Sequence, residues 1–159
     1  MLRIVSILLI TACFQSVAVA QQTIKCDKLK ISFETNQELE SYEHSENEVG
    51  YENDTLAIDI ERKNWSELPE NYGQQAKDFA KDLTKALGFS DYKEGGKIPN
   101  IEGAYYYIAT DKWKDESFPV YVLVAASPKQ NCVYEMTVYC YNNDLKEGKR
   151  IIESLKLME

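Results

Sequence analysis

The side chains with the greatest catalytic potential in this sequence are a single histidine and four cysteines. His44 lies between Glu43 and Ser45 in a polar stretch, with no recognisable nucleophile or ligand spacing around it. A Ser-His-Asp or Cys-His arrangement would have to use this one imidazole. The position favours an exposed loop histidine, so we predict that the protein is not an enzyme. Catalysis by His44 or by a reactive cysteine remains the alternative.

Carboxylates are the next candidates, because residues 31–61 contain ten Asp and Glu residues and no Lys or Arg. Their spacing does not match a Ca²⁺-binding loop. One histidine and dispersed cysteines cannot supply a zinc ligand set. Gly95 and Gly96 lack the spacing of either phosphate-binding loop. The sequence therefore predicts no metal and no cofactor, and it favours a solvated acidic face.

The tyrosines form the one pattern that points to recognition. If the even positions of the last two predicted strands face the helices, odd positions place tyrosines on the opposite side of the sheet. Such faces suit protein or glycan recognition, because the ring is apolar and the hydroxyl is hydrated. Tyrosine is also a good strand former, so simple coverage of the sheet is the alternative. The candidate binding residues are Tyr105, Tyr107, Tyr121, Tyr139 and Tyr141.

The elements that must position these residues follow from hydrophobic periodicity. A period of two predicts strands, and residues 48–63 also contain a turn signal near Asn53 that indicates a hairpin. The predicted strand regions are 26–34, 48–63, 101–113, 118–126 and 132–141. On the last strand the predicted inner face is Cys132, Tyr134, Met136, Val138 and Cys140.

Two segments have the 3.6-residue period of amphipathic helices instead. The apolar stripe of the first helix is Tyr72, Ala76, Phe79, Ala80, Leu83 and Leu87. The stripe of the second is Leu145, Gly148, Ile151, Ile152 and Leu155. Asp144 and Glu147 have the spacing of an N-cap and its capping-box partner. The order strands, helix, strands, helix predicts an α+β fold, with an antiparallel sheet of about five or six strands packed with two main helices.

The whole pattern resembles the PsbP/DcrB-like family of small α+β domains. The residues that carry the resemblance are "KISFE", "TLAIDI", "IPNIEGAYYYIAT" and "RIIESLKL", which are similar to that family's first strand, the strand before its long helix, the strand after it and the closing helix. The Pro and Trp usual after the first strand are missing. The resemblance implies a PsbP-like fold and an extracytoplasmic accessory or binding role, and it assigns no site residue.

The first 20 residues have the anatomy of a secretory signal. Arg3 precedes a short apolar segment, and "AVA" ending at Ala20 satisfies the small-x-small cleavage rule. We therefore predict a signal peptide over 1–20, a single domain over 21–159, and a secreted or periplasmic protein. The alternative is a lipobox at "ITAC", which would anchor the chain by a lipid on Cys13.

The predicted compartment makes one disulfide the expected arrangement of the three remaining cysteines. Cys132 and Cys140 lie eight positions apart on one predicted strand, about 26 Å if extended, which is too far for a disulfide. Cys26 must then pair with one of them, and we favour Cys132 because it follows a turn-like segment. Three buried, unpaired thiols are the alternative.

The composition limits the partners. The formal net charge is −8, which argues against binding to nucleic acid or to an anionic membrane. The mature chain has no second apolar stretch long enough for a transmembrane segment. We therefore expect a non-catalytic binding domain whose partner is an unknown envelope or extracellular protein or glycan. A carrier of a small apolar ligand is the alternative.

Overall fold

A computed structural model describes residues 20–65 and 71–158 of the chain, with the side chains of residues 72–74 left out. The predicted signal segment, with Cys13, lies in residues 1–19 and so falls outside the described residues. Within the described parts, no helix is both long and apolar enough to cross a membrane.

The described residues form ten strands in two antiparallel sheets. The large sheet has the order β3-β4-β5-β9-β8-β7-β6, and the small sheet has the order β1-β2-β10. The strands are β1 Gln22–Cys26, β2 Ile31–Thr35, β3 Glu40–Ser45, β4 Glu48–Glu52, β5 Leu56–Asn64, β6 Ser90–Lys97, β7 Ala104–Trp113, β8 Glu116–Ser127, β9 Cys132–Cys140 and β10 Lys156–Leu157. The helices are α1 Tyr72–Ala86 and α2 Leu145–Glu153, and residues 128–130 form a short 3-10 turn.

One face of the large sheet carries the main hydrophobic core, which α2 and the small sheet enclose. Leu56, Ile58 and Ile60 of β5 are buried there, as the alternation in the sequence predicts. The predicted inner face of β9 is also confirmed, because all five of its residues are buried in this core.

Polar contacts at its start fix α2 in place. The side chain of Asp144 accepts a hydrogen bond from the Glu147 amide at 3.0 Å, which confirms the predicted N-cap. The Glu147 carboxylate does not complete a capping box; it is buried and accepts bonds from Thr35 Oγ1 at 2.8 Å and the Asn36 amide at 2.7 Å. Leu145 is exposed and does not belong to the buried stripe. The predicted helix-cap pair therefore links α2 to the small sheet.

Gly148 allows α2 to approach the large sheet closely. A Cβ atom at this position would lie 2.6 Å from Cys140 Sγ and 2.6 Å from the ring of Tyr121. These distances are far below van der Waals contact, so a larger residue would push the helix away from the sheet.

The other face of the large sheet carries α1, which contacts β7 and β8. Ala76, Ala80 and Thr84 are fully buried, and Thr84 Oγ1 donates to the Ala80 carbonyl at 2.7 Å. Small residues on this side bring the helix close to the sheet. Phe79 and Leu83 are half-buried beside them, and Leu87 is exposed.

The α+β class, the antiparallel pairing and the two helices are confirmed, whereas the predicted single sheet of five or six strands is wrong. Residues 26–34 do not form one strand, because the chain turns at 27–30 and Lys30 adopts a left-handed φ of 59°. The polar edge strands β3 and β6 have little apolar alternation and gave no sequence signal. A specifically PsbP-like arrangement stays a prediction.

The predicted disulfide between Cys26 and Cys132 is not formed in the structure, in which Cys26, Cys132 and Cys140 are free and buried. Each of the first two thiols has a polar neighbour of its own. The Cys26 thiol interacts with the hydroxyl of Tyr51, and the Cys132 thiol interacts with the hydroxyl of Tyr134. The arrangement in the structure is thus the alternative of three buried thiols.

Candidate binding face of the large sheet

The register of the large sheet separates the predicted tyrosines. Tyr121 pairs with Val138, and Val120 pairs with Tyr139. Because directly paired residues share a face, odd positions of β8 lie on the same side as even positions of β9. Tyr121 therefore lies beneath α2, where it is 2% exposed and its hydroxyl donates to the Leu145 carbonyl at 2.6 Å. The prediction that Tyr121 shares an exposed face with Tyr139 is wrong.

Tyr105 and Tyr107 do lie on the same side as Tyr139, since they pair with even positions of β8. Tyr107 is buried in the cluster around Ala80 of α1. Tyr105 is half-buried, and the centroid of its ring lies 5.7 Å from Lys77 Nζ. Its hydroxyl donates a hydrogen bond to the Glu94 carboxylate at 3.0 Å. These two tyrosines therefore support α1, and they are not part of an open surface.

Beyond the end of α1, four aromatic rings form a contiguous cluster that we call the aromatic patch. Tyr139 lies 6.0 Å from Phe89 and 6.4 Å from Phe118 between ring centroids. Tyr141 lies 4.9 Å from Phe118 and is stacked on Tyr139 at 6.3 Å. Phe118 is buried and Tyr141 is 45% exposed. The patch thus has a packed base and an accessible outer ring.

Helix α1 makes its main contacts with β7 and β8 and also packs on Val133 at the start of β9. Next to the aromatic patch, we call the sheet face over β3, β4, β5 and the 135–139 part of β9 the open half. Its odd positions on β5 and β9 point away from the main core, since Leu56, Ile58 and Ile60 point into it. A cleft of about 210 Å³ lies between this face and the end of α1. We call it the acidic cleft; its lining includes His44, Glu48, Asp59, Glu61, Leu83, Leu87, Glu135, Thr137 and Tyr139.

A glycine shapes the floor of the open half. Tyr42 lies across Gly50, where an added Cβ would be 2.1 Å from the tyrosine ring. From this position the Tyr42 hydroxyl donates to Asp59 Oδ1 at 2.8 Å. Burial and this carboxylate raise the pKa of Tyr42, so the phenol stays protonated and holds the Asp59 side chain in place.

The open half is strongly negative. Lys63 forms ion pairs with Glu135 at 2.6 Å and Glu61 at 3.3 Å. Glu48 and Asp59 are half-buried and form no ion pair with any described residue. The negative field extends to the aromatic patch. The pKa of Tyr141 is raised by burial, then by Tyr139 and by the carboxylates of Asp59, Glu52 and Asp111.

The remaining candidates for chemistry are dispersed. His44 is exposed on β3 and makes an edge-to-face contact with Tyr42 at 4.9 Å. Among the described residues, no group of three or more His, Cys, Asp or Glu side chains could hold a metal ion. Burial raises the pKa of Cys140 to about 12, which disfavours the thiolate that a nucleophilic cysteine needs.

A second concave region lies at the opposite end of the molecule, between the 99–102 loop, the 3-10 turn and the carboxyl-terminal segment. It is an open groove of about 860 Å³ with a mainly apolar lining that includes Ile101, Leu155, Leu157 and Met158. None of the predicted tyrosines lines it.

Sequence reasoning missed Phe89 and Phe118 in the aromatic patch and Asp59 and Glu135 in the acidic cleft. A signal was present for Asp59, because the run without Lys or Arg contains Asp59 and Glu61, whereas Glu135 lies outside that run. Their neighbours on β5 are Ile58 and Ile60, so strand alternation could have placed these acids on the face opposite the core. Nothing in the sequence indicates where α1 ends relative to β9.

No protein-family model matches this sequence, and neither does any curated protein. Solved structures do share the fold. The Ran-binding protein Mog1p of Saccharomyces cerevisiae superimposes with a TM-score of 0.59 at 8% sequence identity, over 89% of this chain and 97% of that one. A mutant of protein Mog1 gives a TM-score of 0.58 at 8% identity, over 88% and 97% of the two chains. A protein of Bacteroides thetaiotaomicron VPI-5482 gives a TM-score of 0.53 at 13% identity, over 86% of this chain and 48% of that one.

Proposed function

We propose that this protein is a non-catalytic domain that binds a partner protein through the aromatic patch and the adjoining open half of the large sheet. The observation that carries the proposal is the contiguous patch at the end of α1, with Tyr141 exposed above a packed base. Tyrosine is enriched in the energetic centres of protein interfaces, because its ring buries a large area and loses few rotamers.

Two further observations support a binding role. Among the residues that the structure describes, His44 is exposed and burial disfavours the thiolate of Cys140, so these groups do not assemble a nucleophile, base and orienting group. One of the solved structures with this fold is described as a Ran-binding protein. At 8% identity this likeness extends to the fold, so the identity of the partner here is a separate question. The predicted signal peptide suggests that the partner is an envelope or extracellular protein.

Site-specific photo-cross-linking tests the proposal. A photoreactive phenylalanine analogue replaces Tyr141 in one sample and Leu145 in another; both residues are 45% exposed, and Leu145 lies on α2 at the opposite face. In extracts of the source cells we expect a discrete cross-linked protein from position 141 and none from 145. Tyr141→Ala should weaken capture of that protein by at least about tenfold, as for an aromatic anchor. Equal cross-linking from both positions would contradict the proposal.

The large apolar groove favours the second candidate, a carrier of a small apolar ligand. Its volume of about 860 Å³ lies within the usual range for ligand pockets. A fluorescent fatty-acid analogue tests this function directly. Saturable binding that is lost on Leu157→Asp and unchanged by Tyr141→Ala would favour the carrier; absence of saturable binding would exclude it for that ligand class.

A further inference from the structure

We propose that the partner segment which docks on the open half is basic, and that it places a Lys or Arg side chain in the acidic cleft beside Tyr139. This inference rests on the proposed function, because it names the chemistry of the partner at that same face. Within residues 20–65 and 71–158, no helix has its main contacts with the open half, and the negative charge of this face selects one class of occupant by complementarity.

The acidic cleft has the dimensions of a site for one side chain. Its volume of about 210 Å³ is below the roughly 300–1,000 Å³ typical of small-molecule pockets. Its lining combines apolar groups, including Leu83, Leu87 and the ring of Tyr139, with four carboxylates and the side chains of His44 and Thr137. A long cationic side chain matches both surfaces, because its aliphatic stem is apolar and its head is charged.

The charge balance of the cleft favours a cationic occupant. Four carboxylates line it, namely those of Glu48, Asp59, Glu61 and Glu135. Lys63 pairs with the last two, whereas Glu48 and Asp59 have no ion pair within the described parts of the chain. Both are half-buried, so a cationic head placed between them would be less screened than at a fully exposed site.

The aromatic patch adds an independent preference for cations. Tyr141 presents an exposed ring stacked on Tyr139, and the face of such a ring attracts Lys and Arg. Burial, then Tyr139 and the carboxylates of Asp59, Glu52 and Asp111, raise the pKa of Tyr141, in keeping with the acidic surroundings of this ring. A neutral or acidic segment would gain neither the cation–π contact nor the ion pair.

The test uses three peptides of equal length that alternate Val with a variable residue, which is Lys in the first, norleucine in the second and Glu in the third. Norleucine keeps the aliphatic stem and removes the charge. In amide NMR titrations of the intact protein we expect the Lys peptide to shift Asp59, Thr137 and Tyr139, and to bind at least about tenfold more tightly than the norleucine peptide. Raising the salt concentration from about 0.05 M to about 0.5 M should weaken binding of the Lys peptide markedly.

A matched pair of charge variants locates the effect. Glu48→Gln with Asp59→Asn removes two charges from the cleft and keeps an oxygen acceptor for Tyr42. Asp27→Asn with Glu102→Gln removes two charges from exposed positions away from it. We expect the first pair to weaken Lys-peptide binding about tenfold relative to the second pair. Circular dichroism confirms that both fold.

Three results would overturn the inference: equal binding of the Lys and norleucine peptides, equal effects of the two variant pairs, or no shifts on the open half with the Lys peptide at millimolar concentration. If norleucine and Lys peptides bound equally and both were lost on Tyr141→Ala, the proposed function would stand and the basic segment would be wrong. Failure of the cross-linking test would contradict the proposed function itself.

Discussion

The two faces of the large sheet use tyrosine in opposite ways. On the face beneath α2 and the small sheet, three buried tyrosine hydroxyls have a defined acceptor: Tyr106 donates to Glu153 at 3.2 Å, Tyr121 to the Leu145 carbonyl at 2.6 Å, and Tyr134 to the Leu29 carbonyl at 2.5 Å. On the other face, the hydroxyl of Tyr141 donates to no described residue, and its ring is 45% exposed. The first group closes the core, and the second is available to a partner.

The contrast shows that the number of tyrosines on a strand does not identify a binding surface. What distinguishes Tyr106, Tyr121 and Tyr134 from Tyr141 is the combination of full burial with a hydroxyl that donates to an acceptor in the protein. A buried phenol that lacks a partner loses its hydration without replacement, so buried tyrosines need an internal acceptor. An exposed tyrosine can leave its hydroxyl to water.

Tyr121→Ala should cause the largest loss of folding stability. The substitution removes a ring that contacts Tyr106 at 5.9 Å and lies against Gly148, and it also removes the hydrogen bond to Leu145. We expect the free energy of unfolding to fall by about 3–5 kcal/mol, as for other large buried rings. Tyr121→Phe keeps the ring and should cost about 1 kcal/mol. Urea denaturation measures both. A loss below about 1 kcal/mol for Tyr121→Ala would show that this face is not a tightly packed core.

Alkaline pH should destabilise the covered face through Tyr106. Burial and then the Glu153 carboxylate raise the pKa of Tyr106 from its usual 10 to about 12 in the folded protein. Because the folded pKa is the higher one, the contribution of the neutral phenol is fully present below pH 10 and is lost as the pH rises to about 12. Its size is at most about 3 kcal/mol.

The measurement is urea denaturation of wild type and Tyr106→Phe from pH 8 upward. Phenylalanine cannot ionise, so the stability of the variant should fall less steeply between pH 10 and 12 than that of the wild type. Identical slopes would mean that Tyr106 ionises as readily in the folded chain as in the unfolded one, contrary to its enclosed position.

Much of the covered face was predictable from the sequence. The alternation of Leu56, Ile58 and Ile60 placed β5 correctly, and the Asp144 cap placed the start of α2. These signals are local, because apolar side chains and helix caps act within a few residues. The binding face depends instead on pairing between distant strands, and no local signal reports it. Assigning odd positions of β8 and β9 to one side put Tyr121 with Tyr139, whereas the register puts them on opposite sides.

The positions of the helices could not be read from the sequence either. Both helical stripes were identified, but amphipathicity shows which side of a helix is buried and not which side of a sheet it covers. The assumption that both helices share one side made the opposite side appear fully open. In the structure α1 covers Tyr107 and leaves Tyr141 exposed, so the accessible surface is smaller than predicted. The ends of α1 decide which rings remain available.

The smallest stability effect is expected for Tyr141→Ala, and it is the sharpest test of the contrast between the faces. Nearly half of this side chain is exposed, and the part that is buried contacts Phe118 and Tyr139. Full burial of a large apolar side chain contributes about 1.5–3 kcal/mol, so truncation here should lower the free energy of unfolding by about 1 kcal/mol or less. Tyr139 is a less clean probe, because its half-buried ring also contacts Phe89.

If the open face is a binding surface, Tyr141→Ala should therefore show a small loss of stability together with at least about a tenfold loss of partner affinity. Tyr121→Ala should show a large loss of stability and little direct loss of partner affinity, since that ring lies beneath α2 and cannot touch a partner. Urea denaturation and titration with the cross-linked partner measure the two quantities on the same samples. A loss of stability above about 2 kcal/mol for Tyr141→Ala would place this ring with the core tyrosines, and the distinction between the two faces would then fail at its most exposed residue.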